Sequence, residues 1–281
     1  MQPWIISRCG VFSERHPPVC FIGGFFDMNK KIRAILITVL SCMILYSFIR
    51  IVLTETEYKR AEKIYEKSRQ ESFHLSDTEQ ELVSADEETE FFPEVSVDFN
   101  ELKKINPEII GWLWIPGTNI NFPLLLTENN LKYLNLSYDL QQTNSGSIFM
   151  DYHSSSDFDD DNTIIYGHNM HSGGMFGELK KFADSEYLSQ NNELYIFTEN
   201  RVYKYCVFAA YVTENDSKSY TRNFTEVFGY NDLLEYIVSA AGGNVNDLPE
   251  DGAALVTLST CTSMRRDERF VVHAYLEATK P

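Results

Sequence analysis

Hydrophobic residues follow three patterns along the chain, and each pattern predicts a different kind of structure. Residues 34–49 carry no charge, and residues 51–53 continue this apolar run beyond Arg50. Residues 54–90 are rich in charged side chains and contain few large apolar ones. From about Phe91 onward, short runs of alternating apolar and polar residues are separated by turn residues, a pattern typical of β-strands.

Eight alternating runs lie in the last two thirds of the chain. Short strands in this number predict a closed or nearly closed β-barrel, so the fold class is mainly β with peripheral helices. One clear helix is predicted over residues 230–241, with Asn231 as its N-cap and two glycines after it, and shorter helices over 129–136 and 100–106. The predicted strands cover residues 111–116, 119–126, 147–150, 163–166, 193–197, 203–211, 254–258 and 270–276.

The apolar run over residues 32–53 has the length and the flanks of a membrane anchor. Its 22 residues match the roughly 20 that a helix needs to cross a bilayer. Basic residues precede the run, acidic residues follow it, and no small-residue cleavage pattern is present, which favours a retained signal-anchor. Basic flanks stay in the cytoplasm, which predicts a single-pass protein whose C-terminal bulk is extracellular.

These patterns divide the chain into four segments. Residues 1–31 form a cytoplasmic N-terminus and are followed by the transmembrane segment. A helical stalk and an acidic linker are expected over residues 54–90, and a compact domain over residues 91–281. Because Met28 and the residues after it resemble the ordinary start of a membrane-anchored protein, we expect residues 1–27 to be an upstream extension.

The net charge of −17 is unevenly distributed between these segments. The chain has 24 basic and 41 acidic side chains. Residues 1–53 hold six basic and two acidic ones, which leaves 18 basic and 39 acidic side chains in the remainder. Nucleic-acid binding needs a surplus of Lys and Arg to neutralise phosphates. The acidic external part therefore argues against a nucleic-acid binder.

Three side chains that suit acyl transfer follow or begin predicted strands. Residues 257–261 (TLSTC) place Cys261 after an apolar strand, Arg269 opens the next strand, and His168 follows a strand far upstream. A thiolate can attack an amide carbonyl, a histidine can take the thiol proton and later protonate the leaving amine, and an arginine fork can bind the oxyanion. Each residue alone would more simply be structural, so the assignment depends on finding all three together.

Residues 257–261 resemble the TLxTC signature of sortases, the cell-wall transpeptidases of Gram-positive bacteria. The resemblance covers roughly residues 100–276 in the family's order, and several segments are similar to class B members in particular. It implies a sortase-type closed β-barrel. The segments that carry the resemblance besides the signature are residues 106–118, 146–151, 162–168 and 175–176.

The resemblance implies a transpeptidation that uses no cofactor. Cys261 would attack the threonine carbonyl of a C-terminal sorting signal, His168 would act as acid and base, and Arg269 would hold the oxyanion or the substrate. The acyl group would then pass to an amine of the peptidoglycan precursor or to a pilin lysine. The implied partners are thus secreted proteins that bear a sorting motif, one of these amines, and the lipid bilayer around residues 32–53.

Further site residues also come from the resemblance. Asn130, Leu134, Tyr220 and Ser259 align with positions that contact substrate in the family. Some class B members have an aspartate two residues after the cysteine, but Ser263 stands there in this chain. This departure leaves Arg269 as the third partner of the cysteine and the histidine.

Two alternatives would use the same residues differently. One is a cysteine peptidase or L,D-transpeptidase that acts on peptidoglycan itself and would not need Arg269. The other is a non-enzymatic, membrane-tethered β-barrel binding protein, which would tolerate Cys261→Ala. Cys206 is the only other cysteine after the membrane segment, so Cys206 and Cys261 either bridge each other or are free thiols.

No metal site is predicted. The acidic residues 157–162 lack the glycine and the terminal glutamate of an EF-hand calcium loop, so a solvated loop is expected there. His153, His168 and His171 do not have the spacing of zinc ligands. His273 lies in the middle of a predicted strand and is expected to be structural.

Overall fold

The computed structural model describes residues 29–75, 92–261 and 267–281, and for Cys261 it describes the backbone. The chain divides between Leu53 and Thr54 into two units. Three predicted features lie outside the described residues: the extension over residues 1–27, the acidic linker over residues 76–90, and Ser263.

The described chain begins with a long α-helix, α1 (Lys30–Ser72). Among the described residues, α1 is the one helix that is long and apolar enough to cross a membrane. Most side chains of its first half are exposed, including Ile44 at 70%. An apolar and exposed helix surface of this kind is what a lipid-covered segment requires.

The second half of α1 lies against the barrel. Ala61, Tyr65 and Ser68 are buried, and the Tyr65 hydroxyl donates to the Gly146 carbonyl at 2.5 Å. The Tyr65 ring meets Phe122 edge to face, with centroids 5.2 Å apart. In the segment where a helical stalk is expected, the helix continues to Ser72, and these buried side chains place it in contact with the barrel.

Short elements connect α1 to the barrel and cover its outside. β1 (Phe73–Leu75) pairs antiparallel with β2 (Val95–Val97), and these two strands were not predicted. The other α-helices in the described ranges are α2 (Phe99–Ile105), α3 (Ser185–Gln190) and α4 (Tyr230–Ala241). Short 3₁₀ helices cover Lys132–Leu134, Leu179–Ala183 and Lys218–Tyr220.

Eight strands close into a barrel, which confirms the predicted fold class. They are β3 (Ile109–Trp114), β4 (Asn121–Leu125), β5 (Ile148–Met150), β6 (Asn162–Tyr166), β7 (Glu193–Phe197), β8 (Val202–Glu214), β9 (Leu255–Cys261) and β10 (Glu268–Lys280). Around the barrel the order is β10-β8-β7-β3-β4-β5-β6-β9. The pairs β4–β5 and β6–β9 are parallel, and the others are antiparallel.

Two hydrophobic clusters stabilise this arrangement. The larger cluster includes the fully buried Trp112, Ile165 and Leu258. In the smaller one, Leu233 and Ile237 of α4 cluster with strand residues such as Phe208 of β8. Because successive strand residues point to opposite faces, neighbouring positions of one strand can serve both clusters.

Two of the predicted helix details are wrong. α4 begins at Tyr230, so Asn231 lies within it, and the Asp232 carboxylate accepts from the Gly229 N–H at 2.8 Å. The predicted helix over 129–136 is reduced to the 3₁₀ turn at Lys132–Leu134. Two of its carbonyls bond outside the segment instead of along a helix: Ser147 N–H donates to Tyr133 O at 2.9 Å, and Thr143 N–H donates to Asn135 O at 3.0 Å.

Candidate active site

Three strand ends meet at one edge of the barrel. β6 and β9 are parallel neighbours, and β10 runs antiparallel to β9, so the ends of β6 and β9 lie beside the start of β10. Tyr166 is the register partner of Ser259, and His168 and Cys261 each stand two residues further along. Arg269 is the register partner of Cys261 itself. The topology therefore brings the three predicted residues to the same edge.

A cavity of about 180 Å³ opens among these strand ends. Five of the predicted site residues line it, and they come from four separate parts of the chain. The lining residues are Asn130, Leu134, Phe149, Tyr166, Gly167, His168, Ser259, Thr260 and Arg269.

His168 is half-buried and is held at both its backbone and its ring. Its carbonyl accepts from the Phe176 N–H at 2.9 Å. Its Nε2 lies 2.7 Å from the Leu134 carbonyl oxygen. A carbonyl can only accept, so Nε2 carries the hydrogen, and in the neutral ring Nδ1 is the nitrogen with the free lone pair. The histidine is thereby oriented with Nδ1 as its basic atom.

Gly146 makes this orientation possible. Its backbone has φ of +56°, a conformation that side chains other than hydrogen rarely allow. A Cβ there would stand 2.8 Å from the Leu134 carbonyl oxygen and 2.9 Å from Cδ2 of His168. Only glycine fits so close to the hydrogen bond that holds the ring.

Arg269 lies in β10 between two partner strands. Its register partners are Cys261 in β9 and Thr213 in β8. The side chain is half-buried, and its Nη1 donates to the Glu268 carbonyl at 3.0 Å. The side chain of Cys261 lies outside the described part of the chain, so its chemical role stays a prediction.

The residues predicted to contact substrate gather at the same place. Asn130, Leu134 and Ser259 line the cavity directly. Tyr220 adjoins it, because its hydroxyl is 2.8 Å from the Ser259 hydroxyl. The Tyr220 ring also stacks on Tyr166 with centroids 6.5 Å apart and an interplanar angle of 20°.

Sequence reasoning missed several residues of this site. Phe149, Tyr166, Gly167 and Thr260 line the cavity but were not singled out. Asp151 was also missed, although it contacts two of the lining residues. Aspartate commonly follows a strand, so no local pattern marked Asp151 as part of the site.

The other titratable residues singled out in the sequence lie away from the cavity. Cys206 is a buried free thiol 3.4 Å from Asn192 Nδ2, and burial raises its pKa. In the acidic segment 157–162, Asp160 and Asp161 accept hydrogen bonds from the backbone N–H groups of Ser155 and Phe224. Part of this segment is thus ordered by its own carboxylates rather than simply solvated.

The sortase-domain family model matches residues 113–277, more than half of the chain. The chain belongs to the sortase family. A sortase B of Listeria monocytogenes is 33% identical over 176 residues, which is 63% of this chain and 72% of that protein. These matches confirm the resemblance seen in the sequence.

Solved structures confirm the class. Sortase B of Bacillus anthracis, in complex with AAEK1, is 31% identical with a TM-score of 0.64, covering 79% of this chain and 98% of that one. A class B sortase of Streptococcus pyogenes involved in pilus biogenesis is also 31% identical, with a TM-score of 0.58 over 64% of this chain and 98% of that one. This sortase is therefore of class B.

Family membership also decides between the alternatives left open by the sequence. The chain is a sortase-type cysteine transpeptidase, and sortases act on sorting signals and amine acceptors. A non-enzymatic binding protein and an enzyme of another cysteine peptidase or L,D-transpeptidase family are both excluded.

Proposed function

We propose that this sortase is anchored in the cell membrane and joins secreted proteins to an extracellular amine. It would cleave a C-terminal sorting signal through a thioacyl-enzyme on Cys261. The acceptor would be an amine of the peptidoglycan precursor. The observation that supports the proposal is the strand register: β9 ends at Cys261 beside Arg269 of β10 and beside the end of β6, and His168 and Arg269 line one cavity there.

The reaction would proceed in two acyl transfers. In the first, Nδ1 of His168 takes the proton of the Cys261 thiol, and the sulfur attacks the threonine carbonyl of the sorting signal. The resulting tetrahedral intermediate expels the amine of the following residue, which receives the proton back from His168. In the second, the acceptor amine attacks the thioester, and the thiol is released.

Arg269 would stabilise the negative oxygen of the tetrahedral intermediate. Its guanidinium is permanently charged and offers several N–H donors in a fixed plane. Support for this role comes from its place opposite Cys261 in the antiparallel pair, because directly opposed residues share one face of a sheet.

The cavity wall would bind the sorting peptide. Asn130 offers polar contacts and Leu134 an apolar one, while Tyr220 and Ser259 form a hydrogen-bonded side. A wall of mixed polarity suits a peptide, whose backbone needs hydrogen bonds and whose side chains need apolar surface.

The membrane would hold the enzyme at the site of secretion. We place residues 1–31 in the cytoplasm and residues 32–53 in the bilayer, because Lys30, Lys31 and Arg33 precede the apolar segment. The barrel would then lie outside the cell, where both secreted proteins and wall precursors are present.

A second acceptor deserves a test beside the first. The class B sortase of Streptococcus pyogenes that is similar to this chain is involved in pilus biogenesis. A lysine of a pilin subunit is therefore the other candidate amine for this enzyme.

The decisive experiment uses the full chain in detergent with a panel of threonine-containing sorting-signal peptides. Each peptide carries a fluorophore and a quencher on opposite sides of the scissile bond. We expect cleavage of at least one peptide, and with added amine a product joined to that amine in place of the free acid. Comparing a peptidoglycan-stem amine with a lysine-containing pilin peptide identifies the acceptor. No cleavage of any peptide, or a product that never contains the amine, would contradict the proposal.

A further inference from the structure

The carboxylate of Asp151 lies behind the wall of the cavity. Asp151 follows β5, and only 8% of the residue is exposed. Its N–H donates to the Ile164 carbonyl at 2.9 Å, and its carbonyl accepts from the Ser154 N–H at 2.8 Å. The side chain thus extends from a backbone position that the pairing of β5 with β6 determines.

The two carboxylate oxygens of Asp151 serve different neighbours. Oδ2 accepts from Asn130 Nδ2 at 2.7 Å and from the Tyr166 hydroxyl at 3.2 Å. Oδ1 accepts from the backbone N–H of His153 at 3.0 Å and also lies 3.0 Å from Nδ1 of the His153 ring. Nε of Arg222 is 4.0 Å from Oδ1. One oxygen therefore holds two residues of the cavity wall, while the other holds the adjacent turn.

Asn130 has no freedom to turn its amide around. Its Oδ1 accepts from the Tyr152 N–H at 3.0 Å while its Nδ2 donates to Asp151. A rotation of the amide by half a turn would place donor against donor at one end and acceptor against acceptor at the other. The orientation that Asn130 presents in the cavity therefore depends on Asp151.

Asp151 is ionised, so its carboxylate only accepts hydrogen bonds, and the groups around it are donors. Burial alone would raise the pKa of Asp151, but the hydrogen bonds from His153, Asn130 and Tyr166 outweigh it and lower the pKa. Burial and the negative charge of Asp151 together raise the pKa of Tyr166, so its hydroxyl stays a donor. Charge-assisted bonds of this kind are stronger than bonds between neutral groups.

We propose that Asp151 is a positioning residue that fixes Asn130 and Tyr166 in the cavity wall before a peptide binds. The inference rests on the proposed function, since the cavity must be the peptide site for its wall to influence turnover. A wall that is already ordered does not have to be ordered during binding. Loss of Asp151 should therefore weaken peptide recognition and leave the reactivity of the Cys261 thiol unchanged.

A double-mutant cycle tests this on the full chain with the panel peptide that the wild type cleaves fastest. Asp151→Ala is expected to lower kcat/KM about 10- to 100-fold, mainly through KM. In an Asn130→Ala/Tyr166→Phe background, the same substitution should change kcat/KM by about twofold or less, because the residues through which it acts are already altered. Equal losses in both backgrounds would overturn the proposal.

Asp151→Asn keeps the test decisive should the alanine variant fail to fold. Asparagine offers one acceptor oxygen where aspartate offers two, so it cannot serve both the cavity wall and the His153 turn. We expect Asp151→Asn to lower kcat/KM less than Asp151→Ala does. In the Asn130→Ala/Tyr166→Phe background this loss should also disappear. The matched control is His153→Ala, which removes a ring contact to the other oxygen; its kcat/KM should stay within about twofold of the wild type. A loss as large as that of Asp151→Ala would count against the proposal.

Two further measurements separate this inference from the proposed function. With ¹⁵N-labelled asparagine, the side-chain amide signal of Asn130 should shift in Asp151→Ala and stay in place in His153→Ala. The rate at which iodoacetamide alkylates Cys261, followed by mass spectrometry, should stay within about twofold of the wild-type rate in every variant. If the wild type cleaved no peptide, the proposed function would fail, yet the amide signal would still report on Asp151. An unmoved Asn130 signal in Asp151→Ala would refute the positioning role.

Discussion

Histidine and cysteine each occur in the middle of a strand and at a strand end in the described barrel. In the middle of β10, His273 is completely buried, with Nδ1 2.9 Å from the Thr257 hydroxyl and Nε2 3.0 Å from the Tyr211 hydroxyl. In the middle of β8, Cys206 is also buried. Burial lowers the pKa of His273 to about 3 and raises that of Cys206, so both side chains stay uncharged near neutral pH.

The strand-end residues differ in what surrounds them. His168 stands two residues beyond β6 and lines the cavity, and Cys261 is the last residue of β9. A mid-strand residue is enclosed by paired strands on both sides, whereas at a strand end the pairing stops and a cavity can form. Position along the strand, more than residue type, therefore separates candidate chemistry from structural packing in this enzyme.

The largest expected contrast is between the two cysteines. Cys261→Ala should abolish cleavage of a sorting-signal peptide, because no other group can form the thioester. Cys206→Ala, which removes a buried thiol far from the strand ends, should leave cleavage near the wild-type rate. The measurement is fluorogenic peptide cleavage by each purified full-length variant. Activity in Cys261→Ala, or its loss in a folded Cys206→Ala, would reverse the comparison.

The two histidines should separate activity from stability. His168→Ala is expected to lower the cleavage rate about 1,000-fold, the scale of a lost acid–base catalyst. His273→Ala would remove two buried hydrogen bonds and leave the space of the ring empty inside the barrel, so it should lower the free energy of unfolding by about 2–4 kcal/mol. Cleavage kinetics and urea unfolding of both variants test this. The comparison fails should His273→Ala be inactive while fully stable.

Much of the fold could be predicted from local patterns. All eight barrel strands were predicted near their observed positions, because alternation of apolar and polar residues records which face is buried. Their order around the barrel was not predicted, since the parallel pairing of β6 with β9 depends on contacts between residues far apart in sequence. Likewise, a helical stalk after the membrane segment was predicted, but not that its residues Ala61 and Tyr65 would be buried against the barrel.

The candidate site was predictable in part for the same reason. Cys261, His168 and Arg269 stood out because each lies next to a strong strand signal, and the resemblance connected them. Asp151 did not stand out, because its role consists of bonds to Asn130 and Tyr166 on other elements. Residues that act through tertiary contacts leave little trace in a local pattern.

The same comparison can be made between two positively charged strand residues, Arg269 and Lys204. Arg269→Lys should lower kcat/KM about 100-fold, because a single ammonium cannot reproduce the guanidinium fork at a developing oxyanion. Near the start of β8, at the opposite end of that strand from Thr213, the register partner of Arg269, Lys204 forms an ion pair with Glu277 at 2.9 Å. Lys204→Arg preserves that charge away from the cavity and should keep near wild-type kinetics. Equal effects of the two exchanges would remove the distinction between the cavity edge and the opposite end of the barrel.

Lowering the pH should destabilise the folded protein because His273 is buried in its neutral form. In the folded protein its pKa is lowered to about 3, whereas the unfolded chain takes up this proton near pH 6.5. The unfolded state thus binds more protons between these two pH values. The contribution of neutral His273 to the free energy of unfolding is therefore complete above pH 6.5 and is lost as the pH is lowered. His273→Gln removes this titration. Between pH 6.5 and 5, the wild type should lose about 1.5 kcal/mol more than the variant in urea unfolding; parallel losses would contradict a neutral His273.

The smallest expected effect concerns the hydroxyl pair beside the cavity. Tyr220→Phe keeps the ring that stacks on Tyr166 but removes the hydroxyl 2.8 Å from Ser259. Because the wall keeps its shape and loses one neutral hydrogen bond, KM should rise about threefold to tenfold with little change in kcat. Tyr236→Phe is the matched control, since its hydroxyl lies 3.3 Å from that of Thr213 on β8 and outside the cavity. A fall in kcat without a rise in KM for Tyr220→Phe would move this tyrosine from peptide binding to the acyl-transfer step itself.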